Sequence, residues 1–150
     1  MRSIWITGTL ALVACGGTGV ARDDTAAAAD TAAVAGTVHE VRMLLSEGGD
    51  YVYQPAELTI RPGDRVRWVN ESGGPHNVAF SADRIPAGAL EVLNAAMPER
   101  LGGQDLVGKL LMEDGAAYEI SFAGAPEGTY AYLCTPHEMM GMQATLTVAR

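Results

Sequence analysis

The chain has 150 residues, 48% of them hydrophobic, with ten Lys and Arg against eighteen Asp and Glu and a formal net charge of −8. An acidic chain repels nucleic-acid phosphates, which excludes nucleic acid as a partner and biases partner choice toward basic surfaces. Once a leader and a tether are set aside, the length suits one small domain.

The chain starts MRSIWITGTLALVACGG: Arg2, an apolar run from Ile4 to Val13, then small residues. This is a secretory signal pattern, too short and wrongly flanked to span a membrane as a helix. Leu12-Val13-Ala14-Cys15 resembles the bacterial lipobox, in which the peptide is cut before the cysteine and the thiol is lipidated. The resemblance implies a signal peptide over 1–14 and several acyl chains on Cys15. Each buried methylene contributes about 0.8 kcal/mol, so one chain anchors weakly. An ordinary signal peptide with Cys15 incidental is the alternative. The chain is therefore expected to be exported, periplasmic or at the cell surface. Gly16, where some retained lipoproteins have aspartate, favours the outer over the cytoplasmic membrane. Residues 21–37 are Ala, Thr and Asp with almost nothing large, and they make up most of the segment 15–36 that follows the leader. Such sequence cannot bury enough apolar surface to offset its ordering entropy, and it reads as a flexible, lipid-anchored linker.

The domain over 37–150 carries eight Lys and Arg against fifteen Asp and Glu. Strand character runs over 37–44, 51–60, 65–70 and 76–80, with turn signals at 46–50, 61–64 and 71–75. Val66, Trp68 and Asn70 alternate with Arg65, Arg67 and Val69. Over 86–99, Leu90, Leu93 and Met97 fall at helical spacing between Pro86 and Pro98, which predicts a short helix or irregular excursion around 86–97. The stretch 102–115 is ambiguous. Strands return over 117–122, 128–134 and 143–148. Period-two alternation with frequent Gly and Pro punctuation predicts an all-β Greek-key sandwich or barrel.

With Cys15 lipidated, Cys134 is a lone thiol in an oxidising compartment, a liability unless something occupies it. It stands in Cys-x2-His-x4-Met with His137 and Met142, and His76 lies 58 residues upstream, after a Gly-Gly-Pro turn. Thiolate and thioether suit Cu(I), and imidazole suits both copper oxidation states. Two histidines and a cysteine with a weak axial methionine form a blue-copper site. Pro136 stiffens the loop just before His137. A neighbouring strand must bring His76.

These segments resemble the cupredoxins, the type 1 blue copper proteins of the plastocyanin and pseudoazurin type. The likeness lies in 129-TYAYLCTPHEMMGM-142 and in 53-YQPAELTIRPGDRVRWVNESGGPHNVAF-80. It implies one copper per chain, held by His76, Cys134, His137 and Met142, and a one-electron carrier, not an enzyme. It also implies that Asn77 ties the two ligand loops together. Pro75, Pro136, Met139 and Met140 would form an apolar docking patch around His137 for redox proteins, the donor and acceptor unidentified. The carrier is read as a monomer. Two positions depart from the family: Leu133, not an aromatic residue, precedes the cysteine, and Lys109 is the domain's one lysine. Met139 and Met140 could also serve as alternative sulfur ligands. Together with Met142 they leave open a copper chaperone or storage module delivering Cu(I). His39 reads as structural or exposed. An enzyme domain would need a second metal site or an open coordination position, and no second histidine cluster is present.

Overall fold

The computed structural model describes residues 36–150. The signal peptide read at 1–14, Cys15 and the linker up to residue 35 lie outside the described residues. Two four-stranded sheets face each other. The first has the order β2-β1-β4-β6, from β1 (Val38–Leu45), β2 (Tyr51–Gln54), β4 (Arg65–Asn70) and β6 (Ala117–Ser121). The second has the order β3-β8-β7-β5, from β3 (Glu57–Ile60), β5 (Ala79–Phe80), β7 (Gly128–Leu133) and β8 (Gln143–Val148). β1 runs parallel to β4 and β3 parallel to β8, while the other pairings are antiparallel. This is the Greek-key sandwich expected from the sequence.

Alternation decides which faces meet. In β4, Val66, Trp68 and Asn70 are buried while Arg65 and Arg67 are exposed. In β8, Ala144, Leu146 and Val148 point inward. The core is aromatic at its centre: Trp68 meets Phe80 and Tyr132 edge-on, at 6.4 and 5.6 Å between centroids, the arrangement favoured by ring quadrupoles. At the far end, the Asp64 carboxylate accepts hydrogen bonds from the N–H groups of Thr37 (2.8 Å) and Arg61 (3.0 Å) and pairs with His39 Nε2 (2.8 Å). These bonds fasten the β3–β4 turn to the start of β1, and give His39 a structural role.

Three local readings change. The stretch 51–60 is two strands, not one. Pro55 has no N–H to give a ladder, and after it the chain crosses from the first sheet to the second. The strand expected over 76–80 shrinks to Ala79–Phe80, because His76 pairs instead with Leu111 in an isolated antiparallel bridge. The helix α1 spans Ala89–Ala96, but its inner face is Ala89 and Leu93, followed by Met97, and Leu90 is 39% exposed. The ambiguous 102–115 stretch is mostly irregular; Val107 bridges to Ala79 of β5, Gly108 to Arg100 and Leu111 to His76. Among the described residues no helix is long and apolar enough to cross a membrane.

Candidate metal centre

Strand registers gather four loops at one end of the sandwich. Leu45 pairs with Tyr51, Met43 with Asn70, Val69 with Ala117, and Leu133 with Gln143. The loops 46–50, 71–78, 112–116 and 134–142 therefore share that end, and the second and fourth carry the donors.

His76, Cys134 and His137 come together there, all buried, with one donor atom from each lying within 4.8 Å of the others. Cys134 Sγ is 3.5 Å from His76 Nδ1 and 3.4 Å from His137 Nδ1. Donors bound about 2.0–2.3 Å from one shared ion sit roughly this far apart. His76 Nε2 donates to the Ser72 carbonyl at 2.9 Å, which fixes the tautomer and leaves the Nδ1 lone pair free toward the sulfur. His137 Nε2 has no hydrogen-bond partner among the described residues, yet it is not sealed from water. The outer edge of this ring thus reaches the surface although the residue is only 6% exposed.

The loop from Cys134 to Met142 closes on itself. His137 N–H donates to Cys134 O (3.0 Å), Met142 N–H to His137 O (3.2 Å), and Cys134 N–H to Met142 O (3.1 Å). Gly141 turns the chain with φ of 80°, a left-handed conformation that costs glycine nothing. Met142 is 1% exposed and belongs to the same buried cluster as Cys134. Asn77 Oδ1 accepts from Thr135 N (2.9 Å) and Thr135 Oγ1 (3.2 Å), and its Nδ2 donates to Gly108 O (3.2 Å).

Burial lowers the pKa of both histidines below the usual 6.5, with His76 adding repulsion at His137 and the Ser72 carbonyl pulling back at His76. Burial pushes the Cys134 thiol up from 9.0, partly offset by backbone groups of Asn77 and His137. At neutral pH the site therefore offers two neutral imidazoles and a thiol that must release its proton to bind a metal. The donors are soft sulfur and imidazole, with no carboxylate in the cluster, a set suited to copper and not to a hard cation.

At the rim, Met139 is 99% and Met140 58% exposed, Pro136 is exposed and Pro75 half-buried. Three residues at this end escaped the sequence reading. Tyr51 stacks on His137, with centroids 3.8 Å apart and planes 10° from parallel. Ser72 supplies the carbonyl that orients His76. Met112, next to the Leu111 that pairs with His76, is 62% exposed. Spacing along the chain links none of them to the donors. The one clue is that Tyr51 borders one predicted turn and Ser72 lies within another. Tyr132 is fully buried against Trp68 and Tyr53, so it gives no aromatic path from the cysteine to the surface.

The fold and this donor set define a cupredoxin. A family model described as "Copper binding proteins, plastocyanin/azurin family" matches residues 40–149. The chain is 40% identical over 103 residues to a plastocyanin of Scenedesmus fuscus, covering 69% of this chain and 92% of that one. It is 38% identical over 104 residues to a plastocyanin of Nostoc punctiforme, covering 69% and 68%. Among solved structures, oxidised plastocyanin from Dryopteris crassirhizoma superposes with a TM-score of 0.54 at 28% identity, covering 74% of this chain and all of that one. Pseudoazurin from Methylobacterium extorquens gives 0.53 at 28% identity, covering 75% of each. The chain belongs to the plastocyanin/azurin family of copper-binding proteins. Cupredoxins of this type are electron carriers and not enzymes, and the His76, Cys134 and His137 cluster is the candidate site for a single copper.

Proposed function

We propose that the protein is an exported, lipid-anchored carrier of single electrons, with one copper held by Cys134, His76 and His137 and by Met142 as a weaker fourth donor. The observation that carries this reading is the buried approach of the Cys134 sulfur to two imidazole nitrogens, at 3.4 and 3.5 Å. Copper bound there would supply the exchange between Cu(II) and Cu(I). The rest is the chain's own work. His76 is tied to Ser72, and Asn77 locks the loop after His76 to the loop after Cys134. Donors fixed this way need little movement between oxidation states, which keeps the barrier to electron transfer low. The outer edge of His137 is the natural electron port, and Pro75, Pro136, Met139 and Met140 give it an apolar surround. Redox encounters of this kind use small interfaces, below about 1,200 Å². The signal pattern and Cys15 support anchoring outside the cytoplasm, with 15–36 as the tether and the outer membrane favoured.

The exposed thioethers of Met139 and Met140 favour a second reading, a module that passes Cu(I) on. Retention separates the two. The copper-loaded protein is reduced and reoxidised repeatedly in the presence of a Cu(I) chelator. A carrier keeps one copper per chain, whereas loss of copper at the first reduction supports the delivery module.

A further inference from the structure

The two histidines are oriented by different devices. His76 is held by a hydrogen bond, from Nε2 to Ser72 O at 2.9 Å. His137 has no such bond on its outer nitrogen and sits on an irregular turn, with φ of −119° where its neighbours are helical. What lies against its face is the Tyr51 ring, nearly parallel at 3.8 Å, which also meets His76 edge-on at 6.1 Å. Tyr51 is no loop residue. It opens β2 and pairs with Leu45 of β1, so it projects from the first sheet onto a ligand carried by the second. Gly73 is shaped around it, since a Cβ there would lie 3.3 Å from Tyr51 Cε1 and 2.9 Å from Leu45 Cβ. Among the described residues the Tyr51 hydroxyl has no hydrogen-bond partner, so the flat ring, not the phenol, makes the contact.

Resting on the copper-carrier reading, we propose that Tyr51 is a positioning residue: its ring clamps the His137 imidazole in the orientation that faces Cys134, with metal present or absent. It does for His137 what the Ser72 carbonyl does for His76. Without it, His137 would turn on its loop and metal held at the site would leave faster.

The test uses the full chain with Tyr51→Phe, Tyr51→Leu and Tyr51→Ala, read in two ways. The first is NMR of the histidine ring protons in metal-free protein. Wild type and Tyr51→Phe should give one sharp His137 ring environment. Tyr51→Leu and Tyr51→Ala should broaden or split the His137 signals while those of His76 stay sharp. The second is loss of Cu(I) to a chelator, expected to be roughly three- to tenfold faster in the Leu and Ala variants and unchanged in Phe. Should Tyr51→Ala fail to fold, Tyr51→Leu keeps the bulk at this position and still decides. Sharp His137 signals in Tyr51→Leu would overturn the proposal, as would equal broadening of both histidines. If the protein took up no copper the carrier reading would fall, yet the metal-free NMR comparison would still judge the clamp.

Discussion

Asn77 and Thr135 each stand one residue beyond a donor, His76 and Cys134, and the Thr135 N–H donates to Asn77 Oδ1 at 2.9 Å. One side chain thus spans the two loops that form the site, across 58 residues of sequence. Its amide also donates from Nδ2 to Gly108 O at 3.2 Å. Asn77→Ala should destabilise the protein by about 2–4 kcal/mol, because it leaves partly buried backbone groups without partners. Asn77→Asp keeps the acceptor for Thr135 but sets a buried carboxylate oxygen against the Gly108 carbonyl, and should cost at least as much. Chemical denaturation of the metal-free variants measures both. Equal stability of wild type and Asn77→Ala would show that the loops hold their geometry independently.

Gly73 and Gly74 make a matched pair. Both have φ of 95°, a conformation strained for any residue with a Cβ, but only Gly73 is hemmed in, by Leu45 and Tyr51. Gly74→Ala should cost about 1 kcal/mol for backbone strain alone. Gly73→Ala should cost about 2–3 kcal/mol, since overpacking adds to the strain, and it should also disturb the His137 ring signals. The comparison of melting curves separates the two contributions.

Stability of the metal-free protein should peak between about pH 6.5 and pH 9. His76 and His137 have folded values below the usual 6.5, so the unfolded chain binds more protons there, and stability falls as pH drops through that region. Cys134 is raised above 9.0, so the folded state keeps its proton longer and stability falls as pH rises through the folded value. Tyr118 and Tyr132, both pushed up to about 12 by burial, extend the alkaline decline. Asp64, lowered from 3.8 by the Arg61 N–H and His39, adds a second loss in acid below that value. Melting temperature against pH measures the profile. A flat profile through pH 6.5 would contradict burial of the two imidazoles.

The four loops at the metal end carry Glu47, Asp50, Glu71, Glu113, Asp114 and Glu138 and no Lys or Arg. Of these, Glu71 is paired, with Arg42 at 3.1 Å. Cationic redox reagents should therefore react faster than anionic ones. Their rates should fall roughly tenfold between low and high salt, while those of anionic reagents rise. Stopped-flow rates at several ionic strengths decide this, and salt-independent rates for both would mean that electrons leave elsewhere.

Much of this was legible in the sequence because local rules decide it. The alternation of β4 and β8, the Cys134 to Met142 loop and the Pro75-His76-Asn77 turn each announce themselves within a few residues. What escaped depends on register. Tyr51 meets His137 because β2 borders the first sheet at the end where the β7–β8 loop of the second sheet turns, and no spacing in the chain encodes that. His76 left its expected strand for the same reason, since its partner Leu111 sits in a stretch with no periodicity of its own. Leu90 had the right spacing for the inner face of α1, but the smaller Ala89 takes that place.

The central claim is that a Cys134 thiolate between two imidazoles holds one redox-active copper. Its most direct test is the visible absorption spectrum of the full chain and its Cys134→Ser variant, each loaded with one equivalent of Cu(II). An intense band is expected in the wild type that bleaches with ascorbate and returns on oxidation, and none in Cys134→Ser. A colourless wild-type protein, or the same band in both, would contradict it.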